Sequence, residues 1–139
     1  MADNGMTAFN KGVIEEFRAN DGKVGGPFAG APMILITHKG AKSGKEYTSP
    51  LVYSRDGDNV VIIASMGGAP QDPQWFRNLV ANPEVGVEVG TEKYTARARV
   101  TEGDERDRLF SAQAAKMPNF DEYAKKTSRV IPVVVLERI

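Results

Sequence analysis

The segment Thr37-His38-Lys39-Gly40-Ala41-Lys42-Ser43-Gly44-Lys45 carries three lysines and two glycines and no acid. Glycine lets a loop turn tightly so that backbone N–H groups converge on one spot, and lysine adds point charges, so the segment could hold a phosphate or a carboxylate. Composition alone also allows a solvated turn with basic decoration. The segment lacks the spacing to a Gly-Lys-Ser/Thr that opens a helix, so it is not a Walker P-loop. A second Gly-rich stretch, Ser65-Met66-Gly67-Gly68, follows an apolar run. Paired glycines there either let a ligand approach the backbone or simply turn the chain.

Trp75 and Asn78 are three apart and would share a helix face. They read as a core Trp with a capping or surface amide, or as an aromatic wall beside an amide for a planar ligand. His38 has no neighbouring acid and reads as a packed or surface histidine before a catalyst. Arg97 and Arg99 alternate on a strand and read as a solvated face, or as cations for an anionic tail. Met117, Phe120 and Tyr123 make a stripe that is core on one reading and a lid on the other.

Residue counts narrow the chemistry. The 139 residues include no Cys and a single His, which excludes disulfides, thiolate nucleophiles, iron–sulfur clusters, Cys-bound zinc and multi-histidine metal sites. A Ser-His-Asp hydrolase would need His38 itself. An enzyme built on this chain is expected to take its reactivity from a bound cofactor. Lys and Arg total 18 against 18 Asp and Glu, so nothing in the overall charge attracts nucleic acid or an anionic membrane. No apolar run reaches the roughly 20 residues of a membrane span, and the first residues lack the order of a signal peptide, so a cytoplasmic protein is expected.

The elements that must position these residues follow from periodicity. Phe9, Val13, Ile14 and Phe17 line one face of a helix over Thr7 to Asn20, and a Gly/Pro-rich linker leads to a strand over Met33 to Thr37. Strands Tyr47 to Arg55 and Asn59 to Ser65 join through Asp56-Gly57-Asp58, with Pro50 marking a bulge or an edge. Asp72 as N-cap and Pro73 at the first position open a short helix that ends at Asn82-Pro83. Val85, Val87 and Val89, then Tyr94, Ala96, Ala98 and Val100, alternate on either side of Gly90-Thr91 as a second hairpin. A helix over Asp104 to Met117 stops before Pro118, and Asn119 with Glu122 forms a capping box for another. Val130 to Leu136, carrying Pro132, is the last strand.

This order predicts an antiparallel α+β domain with a six-stranded closed or split β-barrel and flanking helices, because closure removes exposed strand edges. Residues 1–32 form a helix and linker and residues 33–139 the barrel, in one domain. The helix over Thr7 to Asn20 must dock on the barrel or float, and docking on a membrane surface is a weaker alternative.

Taken together, the segments resemble the deazaflavin-dependent nitroreductase family, split-barrel proteins of actinobacteria related in fold to FMN-binding proteins. The resemblance rests on Gly40-Ala41-Lys42-Ser43-Gly44, Thr48-Ser49-Pro50-Leu51, Asp56-Gly57-Asp58, Ala64 to Pro70, Asp72 to Leu79, Ala81 to Val85 and Arg129 to Leu136. It implies coenzyme F420 as cofactor, bound by Lys39, Lys42, Ser43, Gly44, Thr48, Ser49, Pro50, Leu51, Ala64, Ser65, Met66, Gly67, Gly68, Trp75 and Asn78. It further implies hydride transfer to an electron-poor small molecule such as a quinone, an unsaturated lactone or a nitroaromatic, with charge on the acceptor stabilised by backbone amides near Ser65 to Gly68 or by the hydroxyls of Ser65 and Tyr123. A monomer is expected. The alternatives are a non-catalytic F420 carrier and an FMN-dependent split-barrel oxidoreductase.

Overall fold

The computed structural model describes residues 8–25, 32–64, 72–127 and 130–139. Helix α1 (Ala8–Ala19) precedes strands β1 (Met33–Lys39), β2 (Glu46–Asp56) and β3 (Asn59–Ile63). Helix α2 (Gln74–Ala81) leads to the hairpin β4 (Glu84–Val89) and β5 (Glu92–Val100). Helices α3 (Gly103–Lys116) and α4 (Asn119–Lys126) precede β6 (Val133–Arg138). The strands close into an antiparallel barrel in the order β1-β2-β3-β6-β5-β4, with β4 paired back onto β1. The expected barrel is therefore present in closed form, and no strand is left at an edge along its whole length.

Alternation divides each strand between two environments. Ile34, Ile36, Val60, Ile62, Val85, Val87, Ala96, Val134 and Leu136 fill the barrel, and Trp75 and Leu79 of α2 join the same core. Outside, Val61, Ile63, Val133 and Val135 pack against Leu109 and Phe110 of α3 and Phe120 of α4. On the opposite side, Met33 and Leu35 receive Val13, Ile14 and Phe17 of α1. The N-terminal helix thus docks on the barrel. Its buried apolar face, with Phe17 only 2% exposed, is covered by protein, which corrects the alternative in which that face rests on a membrane. Among the described residues, no helix is long and apolar enough to cross a membrane.

Pro50 is not in a bulge, since it pairs in register with Leu35, but among the described residues β2 has a strand neighbour on one side only at this point, as the edge reading expected. The Tyr53 N–H donates to the Pro32 carbonyl on the β1 side, so alternation turns the nitrogen of Pro50 away from β1. On that other side the β3 register starts only at Tyr53, and the missing donor of Pro50 breaks no ladder bond. Pro132 lies just before β6, with its carbonyl accepting from the Ala64 N–H at 2.9 Å.

The helix starts at α2, α3 and α4 each differ from expectation by one residue, α3 beginning at Gly103. Pro73 is the N-cap of α2, with an extended ψ of 153°, and its own carbonyl accepts the first bonds from Phe76 and Arg77. Pro118 is the N-cap of α4 and already has αR geometry, so Asn119 is the first helical residue instead of the cap. Neither cap residue makes a side-chain bond.

Candidate functional site

One end of the barrel brings together the lysine loop, the end of β3 and helix α2. There β1 passes into β2 through residues 40–45, β3 finishes at Ile63, and α2 crosses from β3 to β4. The antiparallel order brings this about, because β1 and β3 both pair with β2 and so finish at the same end of the barrel.

The lysine loop is a defined turn. The Gly40 N–H donates to the Lys45 carbonyl at 2.8 Å and the Gly44 N–H to the Gly40 carbonyl at 3.0 Å. Gly44 has φ +71°, a left-handed conformation that side chains disfavour. At Gly40 an added Cβ would stand 2.6 Å from Ser43 Oγ and 3.1 Å from the Tyr47 ring. Lys39, Lys42 and Lys45 are exposed, and among the described residues none of them has an ion-pair partner. Three like charges on one short, acid-free turn repel each other and favour an anion between them. The N–H groups of Lys42 and Ser43 have no partner among the described residues, so they are free to donate to it.

Helix α2 holds this loop in place. Asn78 is fully buried, and its Oδ1 accepts from the Ala41 N–H at 2.9 Å and from Gln74 Nε2 at 3.1 Å. Asn82 Nδ2 donates to the Lys39 carbonyl at 3.4 Å. Behind the loop, His38 is 1% exposed, with Asn78 Nδ2 at 2.9 Å from its Nδ1 and Ser49 Oγ at 2.9 Å from its Nε2. Burial pushes the His38 imidazole down to about 4, so it is neutral at physiological pH.

Ser49, His38 and Asn78 lie in the order of a nucleophile, base and orienting residue, yet the donors face the wrong way for that chemistry. Asn78 Oδ1 is committed to two N–H donors, so its amide nitrogen donates to Nδ1 of His38. The ring proton then sits on Nε2 and points at Ser49, where a general base would need a lone pair. Ser49 is itself buried. The arrangement is a structural relay.

The residues expected to bind the cofactor are distributed unevenly. Register places Ser49 and Leu51 on the inner face with Ile36 and Ile34, and Thr48 and Pro50 on the outer face with Thr37 and Leu35. Thr48 Oγ1 is 3.1 Å from Thr37 Oγ1. Ala64 and Trp75 are buried in the barrel core, and Asn78 is enclosed and supports the loop. Ser65, Met66, Gly67 and Gly68 lie outside the described residues. Tyr123 packs in the outer layer, edge-on to Phe120 at 5.6 Å. Arg99 is bound by Glu105 and Glu137 and is spent as a cation, since both carboxylates reach it at 3.3 Å or less.

Sequence reasoning missed Gln74 and Asn82 and undervalued His38. The available signal was the alternation Ile34, Ile36, His38, which turns a polar ring into the barrel, together with Asn78 and Asn82 one helical turn apart.

Comparison with known proteins places this arrangement. The F420H(2)-dependent quinone reductase family profile matches residues 10–138. An F420H(2)-dependent quinone reductase of Mycobacterium tuberculosis is 40% identical over 126 residues, covering 88% of this chain and 85% of that protein. A solved F420-H2 dependent reductase superposes with a TM-score of 0.71 at 38% identity, over 76% of this chain and 94% of its own. Another solved structure, a domain-swapped dimer, gives 0.73 at 36% identity over 91% and 93%. That assembly runs against the monomer expected from the resemblance. With the barrel and these similarities in agreement, the chain belongs to the F420H(2)-dependent quinone reductase family, whose members are oxidoreductases using coenzyme F420.

Proposed function

We propose that the lysine loop holds the phosphate and acidic tail of coenzyme F420 and that the protein reduces a quinone at the adjoining barrel rim. The observation that supports this most is the segment of residues 39–45, braced by α2, with three exposed lysines and two backbone N–H groups that have no partner among the described residues. Its chemistry fits a polyanionic group, since cations and converging amides replace the water an anion loses on binding.

Reduced F420, when bound, supplies the hydride. The chain's own contribution is placement. Lys39, Lys42 and Lys45 fix the anionic end, Ser43 and Gly44 shape the turn, and the inward side chains of Ser49 and Leu51 with the α2 surface limit how a planar ring can lie. The hydroxyls of Ser65 and Tyr123 are the groups we assign to polarising the acceptor carbonyl, and Ser65→Ala and Tyr123→Phe should each lower kcat more than they raise the KM for coenzyme. His38 takes no part as an acid or base, because its Nε2 proton is engaged by Ser49 and its Nδ1 by Asn78.

The test is oxidation of reduced F420 by the purified protein with a soluble quinone, followed through the coenzyme's absorbance. Quinone-dependent turnover is expected. Saturable binding without turnover would identify a carrier, and yellow protein purified from a host lacking F420 would favour FMN.

A further inference from the structure

Asn78 can face His38 and Ala41 in two ways, differing by a flip of its amide. In the observed orientation Oδ1 accepts from Ala41 N–H at 2.9 Å and Gln74 Nε2 at 3.1 Å while Nδ2 donates to His38 Nδ1 at 2.9 Å. Flipped, the NH2 group would meet two other donors at those distances, and the Ala41 N–H would be left without an acceptor. The orientation therefore depends on an acceptor at Nδ1 of His38. Ser49 secures that acceptor by receiving the proton of Nε2 at 2.9 Å, which leaves Nδ1 bare.

We propose that His38 is a positioning residue for the coenzyme loop: as a neutral acceptor it sets the Asn78 amide, and through it the Ala41 backbone and the turn that carries Lys42. The proposal rests on the reading that this loop holds the coenzyme's phosphate. The groups facing His38 are Ser49 and the Tyr47 ring from β2, with ring centroids 6.2 Å apart, and Asn78 from α2. No carboxylate or cation is among them, and the neighbouring Lys39 is exposed. The relay is thus a set of neutral hydrogen bonds whose direction is fixed by one tautomer. Burial strengthens this dependence at the His38–Asn78 bond, since a mispaired group there has no water to turn to.

The experiment compares wild type with His38→Leu, His38→Gln and His38→Asn. Two quantities are read: hydrogen exchange of the Ala41 amide in the free protein, and the Kd for F420 from its fluorescence. Asn can place an acceptor near the Nδ1 position, whereas the longer Gln carries its amide to the Nε2 position beside Ser49 and leaves Asn78 without an acceptor. His38→Leu and His38→Gln should raise Ala41 exchange and Kd by about tenfold, the scale of one lost buried hydrogen bond, while His38→Asn stays within about threefold of wild type. Unchanged Ala41 protection in His38→Gln would overturn the proposal, as would equal losses in all three variants. If His38→Leu does not fold, His38→Gln and His38→Asn still decide the question. Failure of the loop reading is separable: Lys42→Ala would then leave the Kd unchanged while Ala41 exchange still responds to His38.

Discussion

The amide nitrogen of Asn78 donates to Nδ1 of His38 across 2.9 Å, joining the helix that caps the barrel to the strand that carries the lysine loop. That bond requires a neutral ring.

Stability should record it. The folded pKa of His38 is lowered to about 4 from 6.5, so between these values the unfolded chain binds more protons than the folded one. Stability from this residue is complete above pH 6.5 and is lost as pH falls through the window towards 4, amounting to about 3 kcal/mol. Chemical denaturation from pH 7 to 4 checks this, with His38→Asn expected to show the shallower slope. Nitrogen-15 NMR at pH 7 should report the proton on Nε2.

Ser49 should be chemically inert despite its histidine neighbour. A fluorophosphonate probe should leave it unlabelled, because Nε2 donates to Oγ and both groups are buried. Labelling abolished by Ser49→Ala would show that the opposite tautomer is populated.

Gly40→Ala should distort the loop, since its Cβ would fall 2.6 Å from Ser43 Oγ. Coenzyme Kd is expected to rise by roughly tenfold, equivalent to about 1.4 kcal/mol. Adding Ser43→Ala should recover part of the lost stability by removing the nearer obstacle, as measured by thermal unfolding.

Phe17→Ala should cost about 3 kcal/mol or more, the range for deleting a large buried aromatic side chain. Phe17 is 2% exposed and packs with Met33 and Leu35. Urea denaturation measures the loss. A change of less than about 1 kcal/mol would mean that α1 does not rest on the barrel as described.

Much of this arrangement was legible in residue order. Val85, Val87 and Val89 against Tyr94, Ala96 and Ala98 announced a half-buried hairpin, and the turn at Gly57 announced another. Charge and glycine marked residues 39–45 as a possible anion site, although the resemblance was needed to choose that over a solvated turn. What stayed hidden depends on long-range placement. Pro50 sits in mid-strand because β2 outruns β3, a matter of register between two strands. Trp75 and Asn78 share a helix face as expected, but only the crossing of α2 over the barrel end turns that face inward and seals it. His38 gained its partners the same way, 40 residues from Asn78 in sequence and in hydrogen-bond contact in the fold.

The central claim is that the lysine loop is where the coenzyme is held, and the direct measurement is the F420 Kd of wild type against Lys42→Ala by fluorescence titration. Lys42 is exposed and without an ion-pair partner among the described residues, so its loss should leave folding unchanged. The account predicts saturable micromolar binding by wild type and a Kd at least about tenfold weaker in the variant, the scale of one charge-assisted contact. Equal affinity in the two proteins would contradict it.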